Sequence, residues 1–182
     1  QTARAFETAK EQFGGIDILI NNASAIDNSA TGDVKMKKYD LMHTINARGT
    51  FLCSQLALPH LLESDHAHVL NMSPPLALDP RWFKIGGTAY TGAKFNMSMF
   101  ALGMSEEFRG KVAFNCLWPR TAIATAAIDM LAGPIGRKCS RSTDIMADVL
   151  LERVYGHIKG GILADQIGYG KTACMIGLIV QS

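Results

Sequence analysis

The chain has 182 residues, 48% of them hydrophobic and 19% charged, with 18 Lys+Arg against 16 Asp+Glu for a net charge of +2. That length holds one ordinary domain, or one with an appendage, and excludes two full enzyme domains. The composition excludes a disordered tail or a coiled coil, and the near-balanced charge gives no electrostatic case for nucleic-acid binding, so small-molecule chemistry is the starting expectation.

From the amino terminus, Ala3, Phe6, Ala9 and Phe13 recur at spacings of three and four, which predicts a helix over Thr2–Phe13 ended by Gly14-Gly15. Ile16–Ile20 is a short, almost wholly apolar run rich in β-branched residues, the pattern of a strand covered by helices on both faces. The alternation then repeats. A helix is expected over Met36–Leu62, a strand over His68–Met72, a helix over Ala89–Phe108 with Gly110 just beyond it, and a buried strand over Val112–Leu117. Strands alternating with long helices imply right-handed crossovers, so the expected fold is α/β, a doubly wound parallel sheet of Rossmann-like type. After Trp118-Pro119, Thr121–Leu131 is small and apolar, Gly133-Pro134-Ile135-Gly136 reads as a turn and Thr143–Tyr155 as a helix.

Four cysteines, Cys53, Cys116, Cys139 and Cys174, form no CxxC pair and read as reduced intracellular thiols. His66 and His68 make an HxH without a third ligand at recognisable spacing, so no metal site is expected. The apolar run Ala173–Val180 falls far short of the roughly 20 residues that span a bilayer, and no membrane span is expected. The chain opens at Gln1 inside a running helical pattern, with no initiator Met and no signal-peptide h-region, so an N-terminally truncated piece of a longer chain is expected.

Tyr90 and Lys94 stand four apart in a helical segment, which puts phenol and ammonium on one face. A neighbouring cation favours phenolate over phenol and brings a tyrosine toward usable acid/base strength. On spacing alone, a partly buried tyrosine beside a solvated lysine is the plainer explanation. The surroundings change that weighting. Asn21-Asn22-Ala23-Ser24 follows the Ile16–Ile20 strand, Asn46 lies inside the next helix, Asn71-Met72-Ser73 closes the following strand, and Tyr90-Thr91-Gly92-Ala93-Lys94 comes after it.

In that order and at those spacings the motifs resemble the short-chain dehydrogenase/reductase family. Asn71-Met72-Ser73-Pro74-Pro75, Trp82-Phe83-Lys84, Gly103–Phe108 and Leu117–Ile123 are similar to its hydroxysteroid dehydrogenase-like branch, over about residues 1–147. The resemblance implies an oxidoreductase that interconverts an alcohol and a carbonyl by hydride transfer with NAD or NADP. It makes Tyr90 the general acid/base and has Lys94 hold the nicotinamide ribose and tune Tyr90. Asn46 would anchor a relay water and Ser73 orient the substrate carbonyl. Asn21, Asn22, Ala23, Lys94, Pro119 and Ile123 would border the cofactor. By the same resemblance the substrate is an alcohol or carbonyl of lipid-like character, and the compartment is a peroxisome or mitochondrion, with the cytoplasm left open. A homo-oligomer through the helices carrying Asn46 and Tyr90 is also implied, with Leu56, Leu61, Phe100 and Met104 as interface candidates.

Three departures stand out. Ser24 replaces the Gly of NNAG, Arg120 replaces the Gly after Pro119, and Ser73 lies 17 positions before Tyr90, further than the family's usual serine, so that Pro74 is the alternative match. The glycine-rich TGxxxGIG turn that would hold the pyrophosphate at a helix N-terminus does not occur within the 182 residues. Residues 1–158 are therefore expected to be a domain lacking its N-terminal cofactor half, inactive alone. Residues 159–182 hold either a final strand around Gly161–Asp165 or a remnant similar to the first ATPase motif of Swi/Snf-type helicases, Gly168-x-Gly170-Lys171-Thr172. The reading of a non-catalytic remnant, or a fusion to such an ATPase acting as an interaction module, stays open at this point.

Overall fold

A computed structural model describes residues 2–77, 79–119, 121–149 and 178–179. Helix α1 spans Thr2–Phe13 and buries Phe6 and Ala9. Gly14 then takes φ +88°, which lets its N–H close on the Lys10 carbonyl at 2.8 Å and ends the helix. Strands β1 (Ile18–Asn21), β2 (His68–Asn71) and β3 (Ala113–Cys116) pair in parallel, with Leu19 opposite Val69 and Val69 opposite Phe114. The short β4 (Leu178–Ile179) lies antiparallel on the free edge of β1, giving the order β3-β2-β1-β4.

Two faces of this sheet carry two cores, because successive strand residues point to opposite sides. Leu19, Val69, Phe114 and Cys116 face Phe6 of α1, Ala57 and Leu61 of α3 (Thr50–Leu61), and Ala101 and Met104 of α5 (Thr88–Glu107). Ile18, Ile20, Leu70, Met72 and Leu117 face Ile123 and, from α7 (Asp144–Val149), Ile145 and Met146. Helices thus cover both faces, as the apolar strand runs predict. Each fully buried side chain of this size contributes about 1.5–3 kcal/mol, which explains a correction to the expected interface. Leu61 and Met104 are 0% and 6% exposed and belong to the sheet-facing core. The outward apolar residues of α3 and α5 are instead Phe51, Met99 and Leu102, at 44%, 56% and 51%.

The helix expected over Met36–Leu62 is three pieces: α2 (Met36–Met42), a π-helical segment (His43–Gly49) and α3. Asn46 sits in the wide π turns, a geometry concentrated at functional sites. A further helix, α4 (Pro80–Gly86), stands between β2 and α5; Asp79 caps it by accepting from the Arg81 N–H at 2.9 Å, and Pro80 fits its first turn. Gly87, at φ +73°, turns α4 into α5 hard against the Asn28–Ser29 backbone, where a Cβ would lie 2.9 Å from the Ser29 carbonyl oxygen. The expected turn at residues 133–136 is a kink inside α6 (Ala126–Lys138), made by Gly133 at φ 58°. The candidate strand Gly161–Asp165, the P-loop-like residues 168–172 and the end of the Thr143–Tyr155 helix lie outside the described residues.

His68 is buried on β2, its Nε2 2.8 Å from the Asn115 amide nitrogen, and burial pushes its pKa down to about 4. The folded chain therefore holds it neutral, while the unfolded chain takes up a proton below the ordinary histidine value of 6.5. Its contribution is complete above pH 6.5 and is lost as pH falls toward 4, up to about 3 kcal/mol. Denaturant titrations across that window should show this acid slope in the wild type and a flatter one in His68→Gln.

Candidate functional site

The parallel strands end on one side of the sheet, where ligands of such folds bind. Behind them runs a chain of buried amides. The Asn21 amide donates to the Ser54 hydroxyl at 3.2 Å and to Asn71 Oδ1 at 2.9 Å, and the Asn71 amide donates to the Met97 carbonyl at 3.0 Å. This ties the ends of β1 and β2 to α3 and α5. Asn46, 0% exposed, grips the loop after β1 in the manner of a strand partner: its Oδ1 accepts from the Ala25 N–H at 2.8 Å and its amide donates to the Ala25 carbonyl at 2.9 Å.

In front of this floor lies a cavity of about 130 Å³ whose walls include Tyr90 and Lys94 of α5, Pro74 after β2, Trp118 after β3, Trp82 and Ile85 of α4, and Ile128 and Leu131 of α6. Apart from a few polar groups the lining is aliphatic and aromatic, the make-up of a small-molecule site. The Tyr90 ring is held in a cluster with Met42, Ala89 and Ala93, with Ile26 and Tyr39 packed against it. Lys94 is 1% exposed. Its ammonium nitrogen donates to the Met72 carbonyl at 2.7 Å and to Met97 Sδ at 3.4 Å, and lies 5.9 Å from the centroid of the Trp118 ring. Burial pushes its pKa down to about 7, with Cys116 acting in the opposite direction. The Cys116 thiol moves the other way, pushed up by burial and partly pulled back by the Ser73 and Ser98 hydroxyls and Lys94.

The structure therefore brings Tyr90 and Lys94 together on one cavity, with Asn46 bracing the loop beside it. Ser73 is placed differently. It is 0% exposed, its hydroxyl lies 2.9 Å from the Ser98 hydroxyl, and Pro74 stands in the wall in its place. Asn21 spends its amide inside the floor. Asn22 and Ala23 continue into the half-buried loop, and Pro119 and the buried Ile123 follow Trp118 at the end of β3. Two further groups passed unnoticed in the sequence. The Thr125 hydroxyl and the Trp118 indole nitrogen are buried without a hydrogen-bond partner. Thr125 had a readable signal, a polar residue two positions beyond Ile123 and flanked by Ala124 and Ala126.

Among the described residues no group of three side chains could hold a metal ion, and no helix is long and apolar enough to cross a membrane. Cys53 and Cys116 are buried free thiols, and Cys139 is an exposed one.

Hydroxysteroid dehydrogenase-like protein 2 of Danio rerio is 61% identical over 145 residues, covering 79% of this chain and 34% of that protein. The Homo sapiens protein of the same name is 55% identical over 148 residues, 81% of this chain and 35% of its own. The chain thus spans about a third of the length of the curated relatives it matches. Among solved structures, a short chain dehydrogenase of Mycobacterium thermoresistibile superposes with a TM-score of 0.77 at 40% identity, covering 88% of this chain and 59% of that one. Acetoin dehydrogenase of Salmonella typhimurium gives 0.62 at 26%, covering 88% and 68%. Residues 160–172 lie beyond residue 131, where the match to the family model ends, and the expected likeness to a helicase ATPase motif finds no support in these comparisons. That model, described as short chain dehydrogenase, matches residues 1–131 and so takes in the strands, the Asn46 segment and the Tyr90–Lys94 pair: the chain belongs to the short-chain dehydrogenase family.

Proposed function

We propose that the longer protein containing this chain interconverts an alcohol and a carbonyl using NAD or NADP, with Tyr90 as acid/base. The observation that carries this reading is the placement of Tyr90 and Lys94, four apart on α5, in the wall of one apolar cavity at the carboxyl ends of the strands. The residues present suit the nicotinamide end of such a cofactor: Lys94 offers a donor, and the unpartnered Thr125 hydroxyl is a polar group in search of a ligand. When bound, the cofactor supplies or takes up the hydride. Lys94 and Thr125 hold its polar groups while Pro119 and Ile123 border it. Tyr90 gives a proton to the substrate oxygen in reduction and removes it in oxidation. Asn46 keeps the loop after β1 in place. Ser73 acts from behind the wall, through Ser98, on the position of Pro74.

The apolar walls favour a substrate with a hydrocarbon body, such as a lipid-like ketone, over a small polar one. The chain extended upstream by the cofactor half of its relatives should oxidise NADH or NADPH with 2-decanone. Turnover confined to small hydroxyketones would remove the lipid-like assignment, and none with any ketone would remove the hydride reading. The 182-residue chain alone, without the glycine-rich turn, should bind NADH and NADPH weakly by calorimetry, and tight binding would contradict this.

The outward faces of α3 and α5 form a second element of the proposal. Phe51 and Phe100 meet edge-to-face at 5.3 Å, beside the exposed Met99 and Leu102. A second copy covering this patch would bury it. Sedimentation should report a dimer, and Leu102→Glu should shift it toward monomer.

A further inference from the structure

Two helices of unequal anchorage wall the cavity beside Tyr90. On one side α4 presents Trp82, Ile85 and Gly86, and on the other α6 presents Ala127, Ile128 and Leu131. Helix α4 is fastened along its length to the helix that carries Tyr90. The Trp82 carbonyl accepts from the hydroxyl of Thr91, the residue after Tyr90, at 3.2 Å. Phe83 meets the buried Phe95 edge-to-face at 5.6 Å. Gly86 comes so close that a Cβ there would lie 2.7 Å from Thr91 Oγ1 and 3.4 Å from Tyr90 Cδ1. At the other end Asp79 caps the first turn and pairs with Arg81. Helix α6 is held differently: none of its side chains is fully buried, Leu131 is 43% exposed, and Gly133 breaks it.

Discrimination by shape needs a wall that does not give way. A yielding wall admits a wide group at the cost of a small shift, whereas a packed one must be strained before the group can enter. That role falls to α4, and Trp82 has the largest side chain it presents. A cavity of about 130 Å³ bounded by this indole has room for a slender hydrocarbon chain and little for a ring or branch beside the carbonyl. We propose that Trp82 is the specificity-determining residue of this site: its indole admits linear ketones and excludes those carrying a ring or branch next to the carbonyl. This rests on the alcohol–carbonyl reading above and adds to it the shape of the substrate. A single methylene in an apolar pocket changes selectivity about 10- to 200-fold, and removing an indole opens more space than that.

The test assays the upstream-extended chain with 2-octanone and cyclohexyl methyl ketone, methyl ketones of equal carbon number, one linear and one ringed. The ratio of their kcat/KM values should favour 2-octanone in the wild type. Trp82→Ala should move that ratio toward the ringed ketone at least about tenfold, and Leu131→Ala less than about threefold, because α6 yields in any case. Trp82→Phe should fall between them and carries the test if circular dichroism shows the alanine variant unfolded. A wild type that prefers the ringed ketone, a ratio unmoved by the Trp82 substitutions, or one moved as far by Leu131→Ala overturns the proposal and leaves the hydride reading in place. If neither ketone is turned over, the hydride reading fails instead. The same ratio is then taken from dissociation constants measured by calorimetry on the wild type and the Trp82 variants, and equal ratios there overturn the proposal.

Discussion

Tyr90→Phe in the upstream-extended chain is expected to lower the turnover number by roughly 10²- to 10⁴-fold, the effect of removing a positioned general acid. The substitution isolates the hydroxyl. The ring keeps its packing against Met42, Ala89, Ala93, Ile26 and Tyr39, so the fold should survive nearly unchanged. The Michaelis constant should move little, because the apolar walls that bind the substrate body are untouched. Steady-state kinetics with 2-decanone and the preferred cofactor provide the measurement. A variant with undiminished turnover would remove Tyr90 from the mechanism while leaving the family assignment intact.

Lys94→Met is expected to abolish activity and yet to make the folded chain more stable at neutral pH. The folded-state pKa of about 7 lies below the ordinary lysine value of 10.5 because burial disfavours the charged form. Between those values the unfolded chain binds the extra proton, so wild-type stability should rise with pH across that window. At pH 7 and below the full cost of burying the amine is present, an upper estimate of about 4 kcal/mol. Methionine removes that cost but leaves the Met72 carbonyl without its donor, which costs about 1–3 kcal/mol. The net gain should be of order 1–3 kcal/mol at pH 7 and should shrink toward pH 10. Denaturant unfolding at several pH values measures it, and a destabilised Lys94→Met with an unchanged pH slope would contradict the burial argument. Stability given up at a buried lysine in the cavity wall is the usual exchange at a working site.

What the sequence made legible here followed locality. Ile16–Ile20 announced a strand because period and β-branching are properties of five neighbouring residues, and Tyr90 and Lys94 could be paired because helical geometry alone brings them to one face. Ser73 could not be placed that way, since whether a strand-end side chain faces the cavity or the core depends on register and on Ser98, 25 positions away. Leu61 and Met104 were assigned to an interface because α3 and α5 are apolar nearly all round, so periodicity does not say which face meets the sheet. Asp79-Pro80 is a cap followed by a first-turn proline, a local signature of α4 that the sequence does carry. The π turns around Asn46 have no comparable sequence signal.

The amide chain beneath the cavity bears on how the molecule comes apart. Its three links join residues 33, 50 and 26 positions apart, so each forms only once the distant elements it joins, β1 with α3, β1 with β2 and β2 with α5, have come together. Closing such long loops costs chain entropy well before the contact repays it, which places these bonds on the native side of the folding barrier. Bonds made that late do little to speed folding and act mainly to slow unfolding. The polar floor that aligns the ends of the strands is therefore also a kinetic latch, and weakening Asn21 or Asn71 would shorten the lifetime of the native state before it delayed refolding.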